Sequence, residues 1–230
     1  MKILVIKRLM LALVMSMTVA AVSAQQDHQT LKRTIKKWEN CKNVAITNTQ
    51  GDVALRDRNE YVADRVPASL LSVLKNLRGK KELIDDVEIT EAGRWCVLYG
   101  QNETSYSDDI PEDLKESIAD FKNRGYAIRS ITFNDRNEWM IVSDKYFAAS
   151  SIDLSRWLKE GLDKWGNLWA VDFSDDAAIA IYEKGVRYRG NVPESLRSTL
   201  QKTSTEIYRL KVAGSNWFFA DSVGKCSYSL

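Results

Sequence analysis

A pattern that recurs about every 40 residues is the feature of this sequence that most limits its possible folds. The chain has three prolines, Pro67, Pro111 and Pro193, and each follows a β-branched residue and lies three positions before a leucine. A fourth copy of the pattern has Asp153 in place of the proline. Such a period is typical of folds in which one supersecondary unit packs on the next copy. It predicts an architecture but no activity.

Each copy shows the same order of elements: a strand (A), a second strand (B), a helix and a third strand (C). In the copy that surrounds Pro111, residues 95–99 and 104–107 have the composition of strands A and B, and residues 127–133 that of strand C. A proline followed by acidic residues favours the start of a helix. Apolar residues at helical spacing then form one face of that helix: Leu114, Ile118 and Phe121.

Four complete copies are flanked by two partial ones. Residues 31–47 supply a helix and a strand C, and residues 217–229 supply a strand A and a strand B. A closed ring of repeats brings the two chain ends into one shared unit. We therefore expect an α+β repeat in which five ββαβ units form a closed ring, an α/β propeller, with the fifth unit split between the termini. The alternative is an open α+β stack with a coincidental half unit at each end.

Residues 1–24 have the composition of a secretory signal peptide. Lys2, Lys7 and Arg8 precede an apolar stretch, and small residues end at Ala24. The alternative, a membrane anchor, needs about 20 apolar residues, and this stretch is shorter. We therefore expect residues 25–230 to be a single periplasmic or secreted domain without stable membrane insertion. Loss of the signal changes the formal charge from +2 to −1, which gives no basis for a nucleic-acid partner.

The three cysteines are Cys41, Cys96 and Cys226. An exported protein can form disulfides, and in a closed ring Cys41 and Cys226 both belong to the fifth unit. The sequence therefore predicts a Cys41–Cys226 bridge, with Cys96 as a buried free thiol. The alternative is that none of the three cysteines pair.

Few residues in this chain could carry catalysis. The single histidine, His28, lies four residues after the predicted cleavage site, where we expect a loose tail. Serine or cysteine nucleophiles need a positioned imidazole, and zinc sites need grouped ligands. The dispersed glycines form no phosphate-binding loop. We expect no catalytic residue, no metal site and no cofactor.

Acidic residues in the turns between strands C and A are the candidate binding residues. Asp135 and Glu138 occupy one such turn, and Asp175 and Asp176 occupy the next. A ring would gather these turns on one face, so that the carboxylates converge. The alternative is that they are ordinary solvated turn residues, since aspartate is common in turns.

The five strand-strand-helix-strand units resemble the five-bladed α/β propeller of the pentein superfamily. The resemblance covers residues 31–229 and is one of topology and repeat number. Catalytic penteins act on guanidinium groups with a cysteine, a histidine and acidic residues near the central channel. No cysteine with a histidine partner occupies that place here. The resemblance therefore implies a fold, and the non-catalytic binding members of that fold are the better analogue.

We accordingly expect a non-catalytic exported binding protein that recognises a protein or an envelope glycan. The turns between strands A and B vary in length and charge on a constant framework, which favours recognition there. One alternative is a carboxylate-dependent hydrolase of the glycoside type, and another is a structural or assembly protein of the envelope. The A–B turns are residues 56–60, 100–105, 143–145, 183–185 and 221–224.

Overall fold

The computed structural model describes residues 27–57, 59–100 and 102–230. The predicted signal peptide lies outside these residues. They form five three-stranded antiparallel sheets and five helices, an α+β repeat. No helix in this part of the chain combines the length and the apolar character needed to cross a membrane.

Each sheet consists of three strands that are consecutive in the sequence, with the second strand in the middle. The strands are β1 (Asn43–Ala45), β2 (Asp52–Arg56) and β3 (Glu60–Asp64); β4 (Ile84–Ile89), β5 (Trp95–Tyr99) and β6 (Glu103–Tyr106); β7 (Ile128–Phe133), β8 (Trp139–Ser143) and β9 (Phe147–Ala149); β10 (Leu168–Phe173), β11 (Ala177–Tyr182) and β12 (Gly185–Gly190); β13 (Arg209–Ala213), β14 (Asn216–Ala220) and β15 (Cys226–Ser229). The helices are α1 (Gln29–Trp38), α2 (Ala68–Gly79), α3 (Glu112–Asn123), α4 (Ile152–Trp165) and α5 (Glu194–Lys202).

Each hydrogen-bonded sheet combines strand C of one predicted unit with strands A and B of the next unit. Strand C of one copy pairs with strand A of the next, as Val44 of β1 does with Ala54 of β2. A short turn joins these two strands, and antiparallel strands so connected pair directly. The predicted split of a sheet between the termini is therefore wrong, because β1 pairs with β2 and the last sheet is formed by β13, β14 and β15 alone.

The part that the two termini share is instead a helix packed on a sheet. The helix α1 contacts β2 and β3, and its Leu31 and Ile35 belong to one apolar cluster with Phe218 and Ala220 of the last sheet. The backbone N–H of Cys41 donates to the carbonyl of Gly224 over 2.8 Å. The beginning and end of the described chain are therefore in contact, as the repeat pattern predicts.

The helices follow the third strands and bury equivalent leucines. In α2, Leu70, Leu74 and Leu77 pack among residues of both the first and the second sheet. The first leucine of each helix face recurs at the same repeat position and is at most 2% exposed in every copy. These residues are Leu31, Leu70, Leu114, Leu154 and Leu196. The helix α1 thus occupies the same type of site as the four internal helices.

The first strands of the five sheets lie beside one another. β4 contacts β1 and β7, β10 contacts β7 and β13, and β13 also contacts β1. Three of these first strands carry a register shift at the same repeat position, between Ile84 and Asp86, Ile128 and Ser130, and Leu168 and Ala170. Such bulges bend the strand and redirect side chains.

Trp95, Trp139 and Trp217 recur at one position in the middle strands and are 3–5% exposed. Each indole belongs to one of the apolar clusters. The indole N–H of Trp95 donates to Ser69 and that of Trp217 donates to Ser195, both over 3.0 Å. These tryptophans are therefore core residues.

All three cysteines are free thiols in this structure. The predicted Cys41–Cys226 bridge is not formed in it, although the two side chains are neighbours. Burial, and then the adjacent Cys226, raise the pKa of the Cys41 thiol to about 12. The thiolate is the species that attacks in disulfide chemistry, so a buried thiol with this pKa reacts slowly at neutral pH.

Candidate functional site

A buried lysine lies where the first strands of the five sheets meet. Lys211 of β13 is 4% exposed and forms an ion pair with Glu88 of β4. Its ammonium nitrogen is also 3.5 Å from an Asp86 oxygen and 3.8 Å from an Asp172 oxygen. Glu88, Asp172 and Lys211 occupy equivalent positions of β4, β10 and β13. The repeat therefore places them at the same height along neighbouring strands.

Hydrogen bonds connect this cluster to all five sheets. The Asn43 amide donates to Asp86 over 2.7 Å, and the Thr132 hydroxyl donates to Glu88 over 3.1 Å. The Val212 backbone N–H donates to Asp172 over 2.6 Å. We call Asp86, Glu88, Asp172 and Lys211 the axial cluster. It links strands that are far apart in the sequence through one charged side chain.

The charges of the axial cluster are set by burial and by one another. Burial, only partly offset by Lys211, raises the pKa values of Glu88 and Asp172 above their ordinary range. Burial disfavours the charged form of Lys211, but the three carboxylates outweigh it and raise the lysine pKa. Lys211 therefore stays charged at neutral pH, where a lysine nucleophile would have to be neutral.

The space beside the axial cluster is small. The cavity lined by Glu88, Thr90, Asp172 and Lys211 has a volume of about 30 Å³. One Asp172 oxygen and the Thr90 hydroxyl oxygen are buried there without a hydrogen-bond partner. A buried water needs a polar cavity of about 10–15 Å³ or more. The cavity can thus hold a water, but it is too small for an organic substrate.

The single histidine does not lie in a loose tail, and that expectation is wrong. His28 is 2% exposed. Its Nδ1 is 2.9 Å from both carboxylate oxygens of Asp52, and its Nε2 is 3.0 Å from the Asn216 amide nitrogen. Asp52 belongs to β2 and Asn216 to β14, so the imidazole joins the start of α1 to the first and last sheets. Both ring nitrogens are occupied by these structural partners.

The predicted turn acids Asp135 and Asp175 are brought together. The Asp175 carboxylate accepts from the Asp135 backbone N–H over 3.0 Å. The Asp135 carboxylate in turn accepts from the Ala92 N–H over 2.8 Å and from the Arg94 guanidinium. Glu91 accepts from the Asn48 N–H in the same way, over 2.8 Å. These carboxylates fasten the C–A turns of the second, third and fourth sheets to the turn of the preceding sheet.

The other two predicted acids make local contacts. Glu138 accepts from the Asn134 amide over 2.9 Å, and Asp176 accepts from the Ser174 hydroxyl over 3.2 Å. Together with Asp175, they line a cleft of about 310 Å³. Two arginines also line this cleft: Arg136 and Arg189.

Larger clefts lie at the end of the sheets that carries the A–B turns. One, of about 590 Å³, is lined by Asp85, Asn102, Arg129 and Arg209. A second, of about 350 Å³, is lined by Arg129, Trp169 and residues 142–147. We call these two spaces, which share Arg129, the A–B clefts. The C–A turns that hold Asp135 and Asp175 are at the opposite ends of the same strands.

The axial cluster and the arginines of the A–B clefts were missed by the sequence reasoning. The signal was present, since the residue between the two apolar residues of strand C is polar in four of the five copies: Glu88, Thr132, Asp172 and Lys211. Because successive side chains of a strand point to opposite faces of the sheet, this alternation predicts that the four polar side chains share one face of their strands.

Comparison with known proteins adds no family assignment. No family model matches this chain, and no curated protein is significantly similar to it in sequence. The function is therefore inferred from the geometry of the chain's own residues.

Proposed function

We propose that the five sheets close into a ring around Lys211, a five-bladed α/β propeller with pentein-like topology. Support comes from the neighbouring first strands, including β13 beside β1, and from the axial cluster, which connects every sheet. The helix α1 contacts the first sheet and shares an apolar cluster with the last one, so it can supply the helix that follows each of the other sheets. In such a ring the α-helix, rather than a β-strand, comes from the opposite end of the chain.

We further propose that the mature protein is an exported, non-catalytic binding protein of the periplasm or the exterior, and that it recognises a protein or an envelope glycan. The observation that carries this proposal is the position of the A–B clefts. Both exceed the cleft of the C–A turns in volume and are bordered by variable turns, whereas the axial cavity is nearly filled. Binding sites commonly have volumes of about 300–1,000 Å³.

Capture of a partner by the immobilised mature protein tests this function. An envelope extract from the producing organism is passed over residues 25–230 and over a variant with Lys145→Glu and Tyr146→Ser, two residues that line the smaller A–B cleft. We expect the wild type to retain a partner and the double variant to lose it. Arg189→Gln, which changes the cleft of the C–A turns, is the matched control. No retention above a blank resin would refute the proposal.

One observation favours the hydrolase alternative. Glu138, Asp175 and Asp176 line a single cleft, and burial raises the pKa of Asp175 above its ordinary value, as a general acid requires. Hydrolysis of aryl glycosides by the purified protein, lost in Asp175→Asn and Glu138→Gln, would establish this function. Equal background rates for all three proteins would exclude it for those substrates.

We also propose that Cys41 and Cys226 form a disulfide after export, when an oxidising catalyst acts on them. The Cys226 thiol is within hydrogen-bond range of the Cys41 backbone. Closing so long a loop would stabilise the fold by about 4–5 kcal/mol in the chain-entropy model. Thiol titration of the exported protein under denaturing, non-reducing conditions should find one free thiol, that of Cys96, and none in Cys96→Ser. Finding all three thiols free would contradict the bridge.

A further inference from the structure

Among the residues that the structure describes, two arginines at the A–B end form no ion pair. Arg129 lies at the bulge of β7, between Ile128 and Ser130, and Arg209 begins β13. Although they come from different sheets, both side chains line the larger A–B cleft. A bulge re-aims the side chain that it carries, which brings Arg129 to a place shared by both clefts.

Backbone carbonyls hold the two guanidinium groups. Arg129 donates to the Ser143 carbonyl over 2.7 Å, and Arg209 donates to the Tyr208 carbonyl over 3.0 Å. The Nε atoms of both arginines are buried without a hydrogen-bond partner. Within the described ranges, neither arginine takes part in an ion pair, unlike Arg94 or Arg187. Each guanidinium is therefore positioned while most of its donors stay uncommitted.

The neighbouring charges leave an excess of positive charge. Asp85 lines the cleft, and burial raises its pKa, an effect that Lys42 and then Arg209 only partly offset; its carboxylate accepts from Lys42 over 3.4 Å. Lys122, at the edge of the cleft, is paired with Glu103 over 2.7 Å. The unpaired charges in the cleft are thus those of Arg129 and Arg209, and their fixed N–H forks match the geometry of carboxylate or phosphate oxygens.

Aromatic rings border the same place. Trp169, in the smaller A–B cleft, stacks on Tyr208 with ring centroids 6.1 Å apart and planes at 6°. Tyr126 lines the larger cleft, and Tyr146, which is 58% exposed, lines the smaller one. Aromatic side chains with a polar tip give both apolar contact area and hydrogen bonds at binding surfaces. A ligand that unites an oxyanion with a ring fits this combination.

We propose that Arg129 and Arg209 bind the oxyanion of an acidic saccharide, either a sugar carboxylate or a sugar phosphate, beside these aromatic rings. This inference rests on the proposed binding function and names the class of ligand at the same end of the molecule. The Lys42–Asp85 pair and the Lys122–Glu103 pair flank the site, and the two uncommitted guanidinium groups receive the ligand oxygens.

Titration calorimetry at constant ionic strength tests the site with four probes. D-glucuronate and glucose 6-phosphate represent the two sources of the oxyanion, inorganic phosphate lacks the ring, and glucose lacks the charge. We expect at least one acidic sugar to bind more tightly than inorganic phosphate and glucose. Arg129→Gln and Arg209→Gln should each weaken that binding roughly tenfold or more, as the loss of a charged hydrogen bond does. Arg189→Gln, at the other end, should leave it unchanged.

Arg129→Lys is a second variant that keeps the positive charge but loses the parallel N–H donors of the guanidinium group. Its affinity for the acidic sugar should lie between those of the wild type and Arg129→Gln. Unchanged binding in both glutamine variants, or no binding of either acidic sugar to the wild type, would overturn the inference. If the sugars fail while the immobilised protein still captures an envelope partner, this inference is wrong and the proposed function stands. If the sugars bind through the arginines but no partner is captured, the site stands and the proposed function is wrong.

Discussion

Replacing Lys211 by methionine should destabilise the folded protein by about 3–5 kcal/mol, the usual cost of removing one partner from a buried ion pair. Methionine approximates the length of the lysine stem, so the change removes a charge more than it removes volume. Asp86, Glu88 and Asp172 would then share a buried site without a cation. Urea denaturation at neutral pH measures the change in the free energy of unfolding.

Two further variants separate charge from packing. Lys159→Met removes a lysine that is 66% exposed and paired with Asp163 on the surface of α4, so it should change stability by less than about 1 kcal/mol. Adding Glu88→Gln and Asp172→Asn to Lys211→Met removes the uncompensated carboxylates and should restore part of the loss. A Lys211→Met variant as stable as Lys159→Met would show that the axial cluster does not hold the sheets together.

The second large effect is expected in the N-terminal helix. Leu31→Ala should destabilise the protein by about 2–5 kcal/mol, as deletion of a buried leucine side chain does. Leu31 is 2% exposed and belongs to one apolar cluster with Phe218 and Ala220 of the last sheet. A terminal helix that frayed freely would lose almost nothing on this substitution. Chemical denaturation of the mature protein gives the value.

Leu114→Ala is the matched control, because Leu114 occupies the same repeat position in the internal helix α3 and is 0% exposed. If α1 is as much a part of the fold as α3, the two substitutions should cost the same within about 1 kcal/mol, given the usual scatter among core sites. A cost for Leu31→Ala below a third of that for Leu114→Ala would mean that the terminal helix is only loosely attached.

The parts of the fold that could be predicted depend on local periodicity. The helix face of Leu114, Ile118 and Phe121 follows from side-chain spacing within a few residues. The pairing of strands was predicted out of phase because the prolines mark the helix starts. Nothing at Pro67 or Pro111 indicates which strands share a sheet. That choice depends on the short turn between strands C and A.

Contacts between distant parts of the sequence could not be predicted. His28 lies 24 residues from Asp52 and 188 residues from Asn216 in the sequence, and no local sequence pattern predicts contacts over such separations. Lys211 and Glu88 are separated by 123 residues and meet because they occupy equivalent positions in two of the neighbouring first strands. The acids at Asp135 and Asp175 were found because their repeat positions correspond, but their hydrogen bonds to neighbouring backbone were not foreseen.

Amide hydrogen exchange of α1 tests the central claim most directly. The claim is that the N-terminal helix is stably packed and connects the last sheet to the first. The backbone amides of residues 32–38 should exchange as slowly as those of α3, through global unfolding, since both helices bury equivalent leucines. Exchange in α1 that is faster by orders of magnitude, while α3 stays protected, would show that the helix opens on its own and that the two chain ends are not held together.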